Sequence, residues 1–157
     1  MSDMQNYIYD EKIEETETED FDNENGDLTL EEFLAQNSVE GLTDEIVLNE
    51  RLKNFRFKIG SMTRKELESY QKLCIIRNGQ GKIIRQDSMK FSELVVVNHC
   101  LYPNFKSVEF LQKLGVNTPS EALQKTLKTG EITNLSERIM KFNGFEDFED
   151  TREKAKN

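Results

Sequence analysis

The sequence predicts a mainly α fold: a small helical domain with a β-hairpin near its start, preceded by a disordered acidic arm. Three observations predict it. Over residues 103–147 helix starts and stops alternate. Ser107 and Thr118 can accept a hydrogen bond from the free N–H groups of a first helical turn, Pro119 suits the first helical position, and Glu121 completes a capping box. Gly115, Gly130 and Gly144 each follow a helical run and can close it in the left-handed conformation. Second, apolar residues recur at spacings of three and four, as Val108, Leu111 and Leu114, then Leu123 and Leu127, then Ile132, Leu135, Ile139 and Phe142. Third, the charge is uneven. Residues 1–27 hold eleven acidic residues against Lys12, a net of −10, whereas residues 28–157 hold nineteen acidic and twenty basic, a net of +1.

Residues 1–27 carry only Tyr7, Ile8, Tyr9, Ile13 and Phe21 as large apolar groups, too few to offset the entropy of ordering so charged a segment. They are expected to be a disordered arm that repels nucleic acid and anionic lipid. No apolar run reaches the length of a membrane span, and the N-terminus lacks both a basic region and an apolar signal core, so a soluble intracellular protein is expected. The helical domain is expected over residues 28–147, and residues 148–157 form a charged tail.

The domain begins with a short helix capped by Thr29 and boxed by Glu32, followed by a loop over residues 36–44. Residues 45–53 and 55–59 alternate apolar and polar, which predicts a β-hairpin turning near Lys53 and Asn54. Thr63 and Glu66 form a second capping box, and Leu67, Tyr70, Leu73 and Cys74 give the buried stripe of a helix ending near Asn78 and Gly79. Gly79 to Lys82 lacks the strand before and the helix after that a phosphate loop needs, so it is a turn, with a short edge strand over residues 82–85. Asp87 or Ser88 opens a helix over residues 89–102. Val95, Val96 and Val97 locally favour a strand, but the segment's length and its stop at Pro103 favour a helix.

Candidate chemistry is sparse. Asn23, Asn25, Gly26, Leu28, Thr29, Glu32 and Phe33 match an EF-hand register, but Phe21 occupies the first ligand position, where calcium needs an oxygen. His99 beside Cys100 suggests a metal pair, yet adjacent helical residues point about 100° apart, so a core histidine is expected. Cys74 and Cys100 read as reduced, buried thiols. With one histidine and no nucleophile motif, no acid, base and orienting group can be named together, so neither an enzyme nor a cofactor is expected. Phe55, Arg56, Phe57 and Lys58 mix aromatics with cations, but on a strand the phenylalanines share one face and the cations the other. Nearly neutral charge past residue 27 also argues against nucleic-acid binding.

Tyr102 to Phe105 (Tyr-Pro-Asn-Phe), Lys113 to Val116 (Lys-Leu-Gly-Val), the Pro119-started helix, Thr129 to Glu131 (Thr-Gly-Glu) and Asn143 to Phe145 (Asn-Gly-Phe) follow one another in an order that resembles the XkdN-like family of phage tail assembly chaperones. That family belongs to contractile-tailed phages and phage-tail-like particles. The resemblance runs from about residue 45 to residue 147, and the arm over residues 1–27 departs from it. It implies a small helical protein in the cytoplasm of the bacterial host that binds the tape measure protein, keeps its apolar helical segments soluble and assists assembly of the tail tube protein around it. Tyr102, Pro103, Phe105, Phe110 and Phe145 are the candidate partner-binding residues; read structurally, Pro103 ends a helix and the aromatics fill the core. A homo-oligomer stays open, as do two other roles, a permanent structural component of a tail or baseplate and a calcium-binding regulator.

Overall fold

The computed structural model describes residues 26–146. The chain divides into two compact units, Met1–Ser38 and Val39–Asn157. Nearly all of the predicted acidic arm, the EF-hand positions Phe21, Asn23 and Asn25, and the predicted C-terminal tail lie outside the described residues. In the first unit, helix α1 (Leu30–Gln36) has the expected capping box: Thr29 Oγ1 accepts from the Glu32 N–H at 3.2 Å, and Glu32 Oε2 accepts from the Thr29 N–H at 2.9 Å. Glu32 therefore serves as a cap.

In the second unit, strand β1 (Thr43–Ile46) pairs antiparallel with β2 (Phe57–Gly60), Ile46 standing opposite Phe57. Alternation turns Phe57 and Ile59 inward and Lys58 outward. Helix α2 (Arg64–Leu73) starts at the Thr63–Glu66 capping box, and β3 (Ile75–Arg77) and β4 (Ile83–Gln86) follow as a two-stranded hairpin. The Asn78 side chain holds its turn by accepting from the Gln80 and Lys82 N–H groups. Helix α3 (Ser88–His99), capped by Asp87, runs directly into β5 (Cys100–Tyr102), which pairs with β2 and gives the order β1-β2-β5. Helices α4 (Val108–Leu114), α5 (Pro119–Thr126) and α6 (Thr129–Phe142) complete the unit.

The core forms where α3 packs along α6 and against α2 and α5, with Val95 and Val96 meeting the stripe Ile132, Leu135 and Ile139. Because α3 is covered on several sides, apolar residues all round it are satisfied, and the three valines are helical despite their local preference. Asn143, at the end of α6, staples the helix layer to the sheet: its Oδ1 accepts from the Met62 N–H at 2.7 Å and its Nδ2 donates to the Gly60 carbonyl at 3.3 Å.

The structure corrects several of these expectations. The mainly α expectation is overturned: the described residues hold six helices and five strands in two small sheets, a mixed α/β architecture. The helix expected to reach Asn78 ends at Leu73, and the helix expected to reach Tyr102 ends at His99, because each run is continued by a paired strand, Ile75–Arg77 in a local hairpin with β4 and Cys100–Tyr102 beside the distant β2. Gly130 closes no helix but lies in the first turn of α6, whereas Gly115 and Gly144 do take positive φ, 70° and 93°. Glu121 accepts from the Asn117 N–H instead of boxing Thr118, and Leu73 and Val108, expected inside, are exposed.

Candidate functional site

The ten residues between β1 and β2 do not turn tightly at Lys53 and Asn54; they form a folded wall beside β5. Asn49 Oδ1 accepts from the Leu52 N–H at 3.0 Å, and the Phe55 N–H donates to the Leu52 carbonyl at 3.0 Å, which turns Leu52 and Phe55 to the same side. Phe55 meets Phe57 edge to face, with ring centres 4.9 Å apart, and lies nearly parallel to Tyr102 at 5.7 Å. Tyr102 leads through a cis peptide bond to Pro103, and Phe105, fully buried, meets Phe110 of α4 edge to face at 5.6 Å.

Together these elements enclose an open apolar groove of about 460 Å³. Leu52, Phe55 and Phe57 line it from one part of the chain, Tyr102, Pro103, Phe105 and Phe110 from another, and Thr126 with Leu127 from a third; Glu109 and Lys113 give its lining opposite charges. Such a groove can take apolar side chains of a partner. Of the five sequence-derived candidates, Tyr102, Pro103, Phe105 and Phe110 come together here. Phe145, exposed after Gly144, is not among the lining residues. Leu52, Phe55, Thr126 and Leu127 have no local signal that assigns them to a groove, since only folding brings them to residues 102–113.

One buried carboxylate fixes the groove's wall. Glu131 at the start of α6 accepts from Arg51 through both oxygens, from Asn49 Nδ2 at 2.7 Å and from the Lys128 N–H at 2.7 Å. The hydrogen bonds from Arg51 hold its carboxyl well below the usual range, at about 2, against the upward push of burial. Arg51 also donates to the Thr126 carbonyl at 3.3 Å, so one cluster ties the Leu52 wall to the Thr126–Leu127 part of the lining.

His99 is buried in a second polar cluster. Its Nδ1–H donates to the Ser61 carbonyl at 3.1 Å, which leaves Nε2 to accept the Tyr70 hydroxyl at 2.9 Å, with a Glu66 oxygen 3.3 Å away. Burial lowers its affinity for a proton, partly offset by Glu66. Among the described residues no three His, Cys, Asp or Glu side chains are placed to hold a metal ion, and no helix is long and apolar enough to cross a membrane.

Residues 30–156 match the model of a family described as phage XkdN-like tail assembly chaperone protein. The chain is 35% identical over 81 residues to the uncharacterized protein YqbN of Bacillus subtilis strain 168, an alignment spanning 50% of this chain and 54% of that protein. Over the same length it is 32% identical to the phage-like element PBSX protein XkdN of that strain, spanning 50% and 55%. It thus spans about half the length of the curated relatives it matches. The crystal structure of the protein YqbN aligns with 76% of this chain and 98% of its own, with a TM-score of 0.55 at 22% identity, a likeness of fold. The motif positions that carry the resemblance fall at joints of this architecture, namely the cis-proline wall of the groove, the left-handed end of α4, the Glu131 cluster and the Asn143 staple. The chain belongs to the family of XkdN-like phage tail assembly chaperones.

Proposed function

We propose that the chain binds the tape measure protein of a contractile tail or tail-like particle in the cytoplasm of the bacterial host, and that its apolar groove is where that client docks. The observation that carries this reading is the convergence of Leu52, Phe55, Tyr102, Pro103 and Phe110 on one open apolar surface in a member of an assembly-chaperone family. A tape measure protein is long and helical, and an amphipathic helix presents apolar side chains at the spacing that such a groove accepts. Binding there keeps the client's apolar stripe out of water until tube subunits replace the chaperone, which requires reversible association and no covalent step.

Co-expression with the tape measure protein of the same particle tests this. The parent chain is expected to co-purify with it and to raise its soluble fraction. Tyr102→Asp, at a 60% exposed position, is expected to lose capture while melting like the parent. Absence of capture by the parent, or undiminished capture by Tyr102→Asp, refutes the groove reading. Mass spectrometry of finished particles is expected to find the chain far below stoichiometry; stoichiometric retention marks a permanent component instead.

A further inference from the structure

We propose that the β3–β4 hairpin is a second docking surface, for an acidic protein segment with aliphatic side chains that adds as a strand along the free side of β4. The hairpin is a two-stranded sheet of its own, so among the described residues β4 pairs with β3 on one side and with no strand on the other. A free edge offers a row of unpaired N–H and C=O groups, a template for an added strand. Ile83 and Ile84 are 53% and 61% exposed and lie at a bulge, where Arg77 stands opposite Ile83 and Ile76 opposite Arg85, so two adjacent apolar side chains of β4 are open to a partner. Leu73 and Met89 extend the exposed apolar surface at its base.

The charge around it is one-sided. Residues 72–90 hold Lys72, Arg77, Lys82, Arg85 and Lys90 against the single carboxylate of Asp87, which is occupied in capping α3. No ion pair involves any of these five cations among the described residues. A partner strand alternating carboxylates with aliphatic side chains would satisfy the edge, the isoleucines and the cations at once. Nucleic acid fits less well, because residues 72–90 contain no aromatic ring for a base to stack on. The hairpin shares no residue with the groove, so the two surfaces can be occupied independently.

The test uses the full chain and a labelled peptide of alternating glutamate and valine, followed by fluorescence anisotropy and backbone hydrogen exchange. Saturable binding is expected, with slower exchange over Ile83–Gln86. Affinity should fall roughly tenfold or more in Lys82→Glu/Arg85→Glu and on raising the salt concentration, and should drop in Ile84→Ser. Tyr102→Asp should leave it unchanged, which separates this surface from the groove whatever becomes of the chaperone reading. Polyglutamate without valine should bind far more weakly. No binding, equal binding by the charge-reversed variant, or unchanged exchange in β4 overturns the proposal. So does binding to duplex DNA or phosphatidylserine vesicles in place of the peptide.

Discussion

Arg51 and Glu131, 80 positions apart in the chain, meet through two hydrogen bonds, with Arg51 Nε 2.8 Å from Glu131 Oε2. The pair joins the connection between β1 and β2 to the first turn of α6, and Leu52 and Phe55, two groove-lining residues, stand immediately after Arg51 in that connection. Glu131→Gln leaves the Arg51 guanidinium and the Lys128 N–H facing a poorer acceptor, so a lower melting temperature and weaker client capture are expected. Because the folded-state value is about 2, below the ordinary value near 4.3, this stabilisation is complete above about pH 5 and fades as pH falls toward 2. Thermal melts between pH 7 and pH 3 should show the parent losing stability that Glu131→Gln never had. Parallel curves for the two proteins would contradict it.

Ile139 is fully buried in the α3–α6 layer, whereas Leu111 of α4 is only half-buried. Ile139→Ala is expected to cost about 2–5 kcal/mol in denaturant unfolding, and Ile139→Asp to abolish a cooperative melt. Leu111→Asp should be the milder change, because a half-buried carboxylate keeps some of its water.

The His99 imidazole is held neutral by burial, and its proton affinity is lower in the folded chain than in the unfolded one. The unfolded state therefore takes up more protons as pH falls. The folded state keeps the full benefit above the unfolded value near 6.5 and loses it progressively below. Between pH 8 and pH 5 the parent's melting temperature should fall, and His99→Gln, less stable at pH 8, should show a flatter profile.

Burial pushes the Cys100 thiol up to about 12 and the Cys74 thiol above its usual value, and both are enclosed in the core. Ellman's reagent at pH 8 should find no rapidly reacting thiol in the native chain and two after denaturation. A fast native reaction at Cys100 would show that β5 opens readily from β2.

Gly115 ends α4 at φ 70°, a conformation that a β-carbon disfavours. Open space surrounds the position, so no clash adds to the backbone term. Gly115→Ala should destabilise the domain by about 1–2 kcal/mol in urea titration, with little effect on the groove.

Helix starts are legible in the sequence because a cap is a local device. Thr29, Thr63, Ser107 and Thr118 each bond within three residues, so spacing alone reveals them. The ends at Leu73 and His99 are not, because Ile75–Arg77 and Cys100–Tyr102 are short enough to read as a last helical turn, and for Cys100–Tyr102 the strand that pairs with it lies about 40 residues away. The same division runs through the groove. Tyr102, Pro103, Phe105 and Phe110 lie in one contiguous stretch whose order carries the family resemblance, whereas Leu52, Phe55 and Leu127 join them only through tertiary packing. No periodicity announces the Arg51–Glu131 pair, since neither residue's neighbours hint at the other.

The groove's walls come from three separated parts of the chain, and its last fixed point is Glu131. On the ribosome, which delivers the chain from its N-terminus, a nascent copy in which α6 is still inside the exit tunnel has the Leu52 wall without its anchor, so the groove takes its final shape only after α6 has emerged.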